Sequence, residues 1–96
     1  MDITEFVLWA QTYILEQGWN IPVNYHITGF VRIGVAYGSI KSYDDYSVTE
    51  INKSEPEVLK RLVIFNLERL KIRLESLSKL EKIKREVTKL LDGKIN

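Results

Sequence analysis

Few residues of this chain could do acid–base or metal chemistry. His26 is the only histidine, and the sequence places no serine or aspartate where it would make His26 a catalytic base. Asp44 and Asp45 are adjacent carboxylates, which point apart in a turn rather than converge on a metal ion. Cysteine is absent, which excludes thiol catalysis, disulfides and cysteine-ligated metals. We therefore expect no catalytic residue, no metal, no cofactor and a non-enzymatic protein.

Two glycines have the spacing of a phosphate-binding loop. After Gly29 and Gly34 that motif requires lysine and then serine or threonine, which hold phosphate and magnesium. This chain has Val35 and Ala36 at those positions. The match fails, and no nucleotide site is expected.

Three side chains on one face of a predicted sheet could bind single-stranded nucleic acid. His26, Phe30 and Arg32 occupy even positions of a strand-like stretch, and an exposed aromatic beside cationic groups suits base stacking. Charge opposes this reading, because residues 1–57 hold three basic and eight acidic residues, a net charge of −5 that repels phosphate. The alternative is that Phe30 packs under a helix or at a contact between chains.

The C-terminal part of the chain offers a second surface for nucleic acid. Residues 58–96 hold eleven basic and five acidic residues, a net charge of +6. Lys79, Lys82, Arg85 and Lys89 could follow a duplex backbone with salt-sensitive affinity. Three alternatives stay open: an acidic protein partner, head-to-tail complementarity between chains, and a solvated helix face with internal ion pairs.

These basic residues lie on one long helix, which we predict from Ser54 to Asp92. Ser54 and Glu57 have the spacing of a capping box, and Pro56 suits the first helical turn. No further glycine or proline occurs before Gly93, which is the expected stop.

The length of this helix conflicts with a compact domain. About 38 helical residues span roughly 57 Å, whereas a compact chain of this size is about 32 Å across. The helix must therefore overhang its domain, be covered by a second chain, or fold back on itself. Ser78 and Glu81 repeat the capping pattern, so a kink near Ser76 to Ser78 stays open beside a continuous helix.

Two apolar stripes run along the predicted helix when its residues are placed about 100° apart. We expect the front half to be buried between two layers, because both stripes pass along it, and the back half to be apolar on one side. The back part of the second stripe is the predicted self-association surface, most simply of a homodimer, joined by Leu8, Trp9, Leu15 or a sheet edge. The first stripe comprises Leu59, Val63, Leu67, Leu70, Leu74 and Leu77. The second comprises Val58, Leu62, Phe65 and Ile72, then the self-association residues Leu80, Ile83, Val87 and Leu90, interrupted by Arg69 and Ser76.

The segments before this helix have the pattern of one helix and a small sheet. Apolar residues recur with a helical period over residues 3–17, after Asp2 as the cap and before Gly18 as the stop. From Tyr25 to Tyr37 the odd positions are apolar, which predicts strand structure with one buried face and a bulge or turn at a glycine.

A further strand is predicted from Tyr46 to Ile51, after a hairpin turn at Asp44 and Asp45. The order helix, two or three antiparallel strands and long helix predicts a two-layer α+β domain with the helices on the odd face of the sheet. A winged helix with a dimerising helix is the competing fold, and the strand-like composition before residue 53 opposes it. We expect a single domain over residues 1–96, with 78–96 as a projecting or swapped helical extension.

The remaining expectations concern setting and partners. No apolar run approaches a membrane span, and the first residues are acidic where a signal peptide is basic, so we expect a cytoplasmic protein with no membrane partner. The cysteine-free composition, rich in isoleucine and lysine, is common in thermophilic or AT-rich genomes and in their viruses and plasmids. The expected partners are a second copy of the chain and an unidentified protein or nucleic acid. No motif identifies a family.

Overall fold

The computed structural model of the chain describes residues 1–26 and 28–95, apart from the side chains of His26, Lys94 and Ile95. It has the predicted α+β architecture of N-terminal helix, three-stranded antiparallel sheet and long C-terminal helix, with one short helix in addition. The elements in chain order are α1 (Ile3–Glu16), β1 (Asn24–His26), β2 (Phe30–Tyr37), β3 (Ile40–Ser47), α2 (Val48–Lys53) and α3 (Pro56–Ile95).

Local signals set both ends of α1, as the sequence predicts. An Asp2 side-chain oxygen accepts a hydrogen bond from the Thr4 N–H at 3.3 Å, which satisfies an otherwise unpaired donor of the first turn. At the other end Gly18 has φ +82°, a left-handed conformation that glycine adopts without steric cost. The Trp19 N–H then donates to the Ile14 carbonyl at 3.2 Å and closes the helix.

The sheet has the order β1-β2-β3, with both pairs antiparallel. Glycines with positive φ lie at both reversals, Gly29 at +87° and Gly38 at +62°. The predicted turn at Asp44 and Asp45 is wrong, because both residues lie inside β3, and Asp45 is paired with Arg32 of β2. The chain reverses at Gly38 instead, because glycine adopts a positive φ without steric cost.

The predicted strand from Tyr46 to Ile51 is also wrong, because β3 ends at Ser47 and α2 begins at Val48. The Ser47 hydroxyl accepts from the Glu50 N–H at 3.0 Å and caps the new helix. Ser54, predicted to cap the long helix, instead ends α2, since its hydroxyl donates to the Glu50 carbonyl at 2.6 Å.

The core lies between α1, the odd face of β2 and α3. The sequence predicted this use of the odd face correctly, since Val31, Ile33 and Val35 are fully buried. The first stripe of α3 supplies the other wall of the core, with Leu70 half-buried and Leu77 exposed at its far end. The buried hydrophobic side chains are Phe6, Ala10, Ile14, Ile21, Val31, Ile33, Val35, Tyr46, Ile51, Leu59, Val63, Leu67 and Leu74.

The helix α3 is continuous over 40 residues, so the chain does not break or fold back near Ser76 to Ser78, and Gly93 does not end the helix. The molecule measures 62 × 25 × 19 Å, and its radius of gyration of 17.8 Å exceeds the roughly 12 to 13 Å of a compact chain of this length. Every side chain described from Lys79 to Gly93 is exposed. Within the described residues, no helix is both long and apolar enough to cross a membrane.

Candidate self-association surface

The second apolar stripe of α3 is exposed along its whole length. This corrects the expectation that the front half of the helix is buried on two sides, because no residue in the described part of the chain covers the front members of the stripe. The exposed fractions are 60% for Val58, 50% for Leu62, 59% for Phe65, 61% for Ile72, 56% for Leu80, 55% for Ile83, 47% for Val87 and 69% for Leu90.

The stripe is straight because its spacing matches the helical repeat. Successive members are separated by three or four residues, which keeps them within a band about 80° wide at about 100° per residue. From Val58 to Leu90 the stripe is about 48 Å long at 1.5 Å per residue. Two polar residues interrupt it: Arg69, whose guanidinium carbon lies 5.7 Å from the centre of the Phe65 ring, and Ser76.

The exposed apolar area is large for a chain of this size. Side chains of this type that are close to half exposed or more present on the order of 100 Å² each, so the eight apolar members present roughly 800 Å². A typical monomer has no exposed apolar patch larger than about 300 to 600 Å², and one partner of a standard protein interface contributes about 800 Å². The stripe is therefore large enough to be one side of an interface.

Three of the four predicted basic residues of the C-terminal half come together on the side of α3 away from the stripe. Lys82, Arg85 and Lys89, with Ser78 and Glu86, line a shallow groove of about 350 Å³. Lys79 lies beside the stripe rather than in this groove, because it is one helical turn from Ile83 and Ser76. The basic groove and the apolar stripe thus occupy separate faces of the same helix.

The even face of the sheet holds Phe30 and Arg32 as predicted, while the His26 side chain lies outside the described part of the chain. The Arg32 guanidinium forms two hydrogen bonds to the Asp45 carboxylate, at 2.8 and 3.0 Å, and these raise the pKa of Arg32. Its guanidinium carbon also lies 5.7 Å from the centre of the Tyr43 ring. The Arg32 charge is thus already paired, which disfavours phosphate binding at this face.

A cleft of about 400 Å³ lies where α3 crosses the end of the sheet, and the sequence did not indicate it. Asp44, Asn66, Arg69, Leu70 and Arg73 line the cleft. The sequence does not show the cleft because its pattern predicts a turn at Asp44, whereas in β3 the Asp44 side chain faces α3. The two arginines and the aspartate give the cleft charges of both signs.

The residues of α1 predicted to join the interface divide into two groups. Leu8 and Leu15 are exposed, and Leu8 borders an apolar groove of about 410 Å³ with Ile3, Val7 and Tyr25. Trp9 is half-buried instead, with the Lys60 ammonium 5.9 Å from its ring centre.

Among the described residues, no group of three or more histidine, cysteine, aspartate or glutamate side chains could hold a metal ion. Comparison of the chain with protein-family models, curated proteins and solved structures finds no match. The function must therefore be argued from the surfaces themselves.

Proposed function

We propose that this chain is a non-enzymatic protein that pairs with a second copy of itself through the exposed stripe of α3 and acts by binding another macromolecule. The exposure of all eight apolar members of the stripe carries this proposal. Burying them against an identical stripe removes a large apolar surface from water, and such burial is the dominant driving force of association.

The stripe lies on the side of α3 away from the core, so pairing needs no rearrangement of the fold. Leu67 and Leu74 face the core, whereas Phe65 and Ile72 face solvent from the same turns of the helix. Two copies can therefore approach with their sheets on the outside. The basic groove of Lys82, Arg85 and Lys89 also stays exposed after pairing.

The oligomeric state of two matched variants tests the self-association. Ile83→Glu places a charge in the stripe, and Thr88→Glu places the same charge on an exposed position of the same helix outside the stripe. Light scattering after size exclusion should show dimers for the wild type and Thr88→Glu, and monomers for Ile83→Glu. A wild-type chain that stays monomeric at high micromolar concentration contradicts the proposal.

The second candidate function is binding of nucleic acid through the basic groove. Lys82, Arg85 and Lys89 lie on successive turns of one exposed face and have no salt bridge among the described residues. Such a row can neutralise phosphates along a backbone without reading sequence. A pair of identical helices would present two such rows.

Salt-dependent titration of a labelled duplex tests this candidate. The double variant Lys82→Ala/Lys89→Ala should weaken binding. If both lysines contact phosphates, the plot of log affinity against log salt should become less steep, its slope falling in magnitude by about 1.8. Lys41→Ala/Lys53→Ala removes two exposed charges elsewhere and should leave that slope unchanged. Equal losses of duplex affinity in the two double variants would indicate an effect of net charge alone. A wild-type chain that does not bind the duplex at low salt would exclude this function.

A further inference from the structure

We propose that the two α3 helices pair antiparallel, centred near residue 74, so that the back half of each stripe covers the front half of the other. This inference rests on the proposed self-association and adds the arrangement of the partner, a second copy of this chain. In this register Val58 faces the partner's Leu90, Phe65 faces the partner's Ile83, and Ile72 faces the partner's Ser76. The residues left uncovered in one chain are thus covered by the equivalent stripe of the other.

The position of Arg69 in the stripe favours this direction. In a parallel pair in register, each Arg69 would face the partner's Arg69 inside an apolar contact, where like charges repel strongly. In the antiparallel pair the two Arg69 residues are about 15 Å apart along the helix axes at 1.5 Å per residue. A polar residue inside a helical contact commonly specifies register and direction in this way.

The charge distribution of the whole chain also favours the antiparallel direction. Residues 1–57 have a net charge of −5, and their strands β2 and β3 pack against α3, whose buried side chains end at Leu74, whereas residues 79–96 hold six basic and three acidic residues. A parallel pair places the two acidic parts at one end and the two basic parts at the other. An antiparallel pair places each basic end beside the partner's acidic part, which is favourable at both ends.

Charged residues border the stripe along one flank, the side of the helix that carries Arg61, Glu68, Lys79 and Glu86. They also fit the antiparallel register, because antiparallel pairing brings this flank of one helix beside the same flank of the other. Arg61 then lies within one residue of the level of the partner's Glu86, and Glu68 lies within one residue of the level of the partner's Lys79, with each pair formed twice by symmetry. In the parallel pair opposite flanks meet, and Lys79 approaches the partner's Lys84. The antiparallel pair does bring like charges near each other, Arg73 with the partner's Arg73 and Arg69 with the partner's Lys79. The Asp44 carboxylate borders the same cleft as Arg69 and Arg73.

Cysteine cross-linking tests the direction, and the cysteine-free sequence makes the experiment clean. Single variants Val58→Cys and Leu90→Cys are mixed under reducing conditions, and their dimers are confirmed by light scattering and then mildly oxidised. Facing positions of packed helices lie close enough for a disulfide, so the antiparallel pair should give the mixed disulfide. Lys89→Cys lies at the same end of α3 but away from the stripe, and it should not cross-link to Val58→Cys.

The outcomes separate the inference from the proposed function. Disulfides between two Val58→Cys chains would overturn the antiparallel direction and leave self-association in place, as would dimers that form no disulfide at these positions. A monomeric wild type would overturn both. As an independent measure, Arg61→Glu should weaken the dimer about threefold to thirtyfold, and adding Glu86→Arg should restore it. No restoration in the double variant would overturn the pairing of Arg61 with the partner's Glu86.

Discussion

The side-chain amide of Asn66 donates a hydrogen bond of 3.1 Å to the Tyr46 hydroxyl, which joins α3 to the end of β3. The same hydroxyl lies 3.5 Å from a carboxylate oxygen of Asp44 and can donate to it. The Tyr46 ring is buried and makes an edge-on contact with Phe6, with ring centres 6.0 Å apart. Tyr46 thus connects α3, β3 and α1 through one side chain.

Stability at alkaline pH should depend on Tyr46. Burial raises the pKa of Tyr46 to about 12. The hydrogen bond from Asn66 opposes this rise, and the negative charge of Asp44 adds to it. Only the folded state has this raised pKa, so the protonated Tyr46 hydroxyl contributes its full amount to the free energy of unfolding below the ordinary tyrosine pKa of about 10. That contribution is lost as the pH rises towards 12. We expect a loss of about 1 to 3 kcal/mol in the free energy of unfolding.

Urea unfolding of the wild type and Tyr46→Phe between pH 8 and 11.5 measures this loss. Phenylalanine keeps the ring contact but cannot ionise, so the free energy of unfolding of the variant should fall less steeply with pH. Lysine deprotonation affects both proteins equally and cancels in the comparison. Parallel curves for the two proteins would show that Tyr46 is not the titrating group.

The side chain of Gln11 should stabilise the segment that leads into the sheet. Its amide nitrogen donates to the Ile21 carbonyl at 3.1 Å, and its amide oxygen accepts from the Val23 N–H at 2.8 Å. Gln11→Met keeps the volume and loses both bonds, which should lower the free energy of unfolding by about 1 to 3 kcal/mol. Gln17→Met, at an exposed site, is the control and should change it by less than about 0.5 kcal/mol. Equal effects in urea unfolding would contradict this role of Gln11.

The absence of a side chain at Gly34 gives the Tyr43 ring its place on the even face of the sheet. A Cβ at this buried position would lie 2.8 Å from two ring carbons of Tyr43 and 3.3 Å from a methyl group of Ile21. Gly34→Ala should therefore destabilise the fold by about 1 to 3 kcal/mol through overpacking. In a Tyr43→Ala background the same substitution should cost clearly less, so the two effects are not additive. Additive free energies of unfolding would show that the ring is not the obstacle.

The elements that the sequence predicts well are those specified by neighbouring residues. Asp2 and Gly18 determine the two ends of α1 without help from the rest of the chain. The odd positions of β2 alternate cleanly because one face meets the core. The long helix is predictable because the stretch from Val58 to Leu91 contains only residues compatible with a helix.

The errors arise where two local signals compete. Ser47 and Glu50 have the spacing of a capping box, but Val48, Thr49 and Ile51 favour strand, and the cap decides in favour of α2. The inward face of β3 carries Ser42 and Asp44, so the strand lacks the alternation that would identify it. The exposure of the front part of the second stripe was not predicted, because periodicity shows which residues share a helix face but not whether anything covers that face.

A matched pair of substitutions on α3 should separate folding from association. Leu67 is buried in the core and Leu80 is exposed in the stripe, and truncation to alanine removes the same atoms at both positions. Leu67→Ala should lower the free energy of unfolding by about 2 to 5 kcal/mol at every protein concentration. Leu80→Ala should change the stability of the single chain by less than about 0.5 kcal/mol.

Unfolding midpoints measured over a hundredfold range of protein concentration make this distinction. Anything that binds the folded state raises its apparent stability by mass action, so a wild-type dimer should show a midpoint that rises with concentration. Leu80→Ala should reduce that rise, whereas Leu67→Ala should lower the whole curve and keep the rise. A loss in Leu80→Ala as large as in Leu67→Ala and independent of concentration would mean that the back half of α3 packs against its own chain in solution, and that the stripe is not an interface between copies.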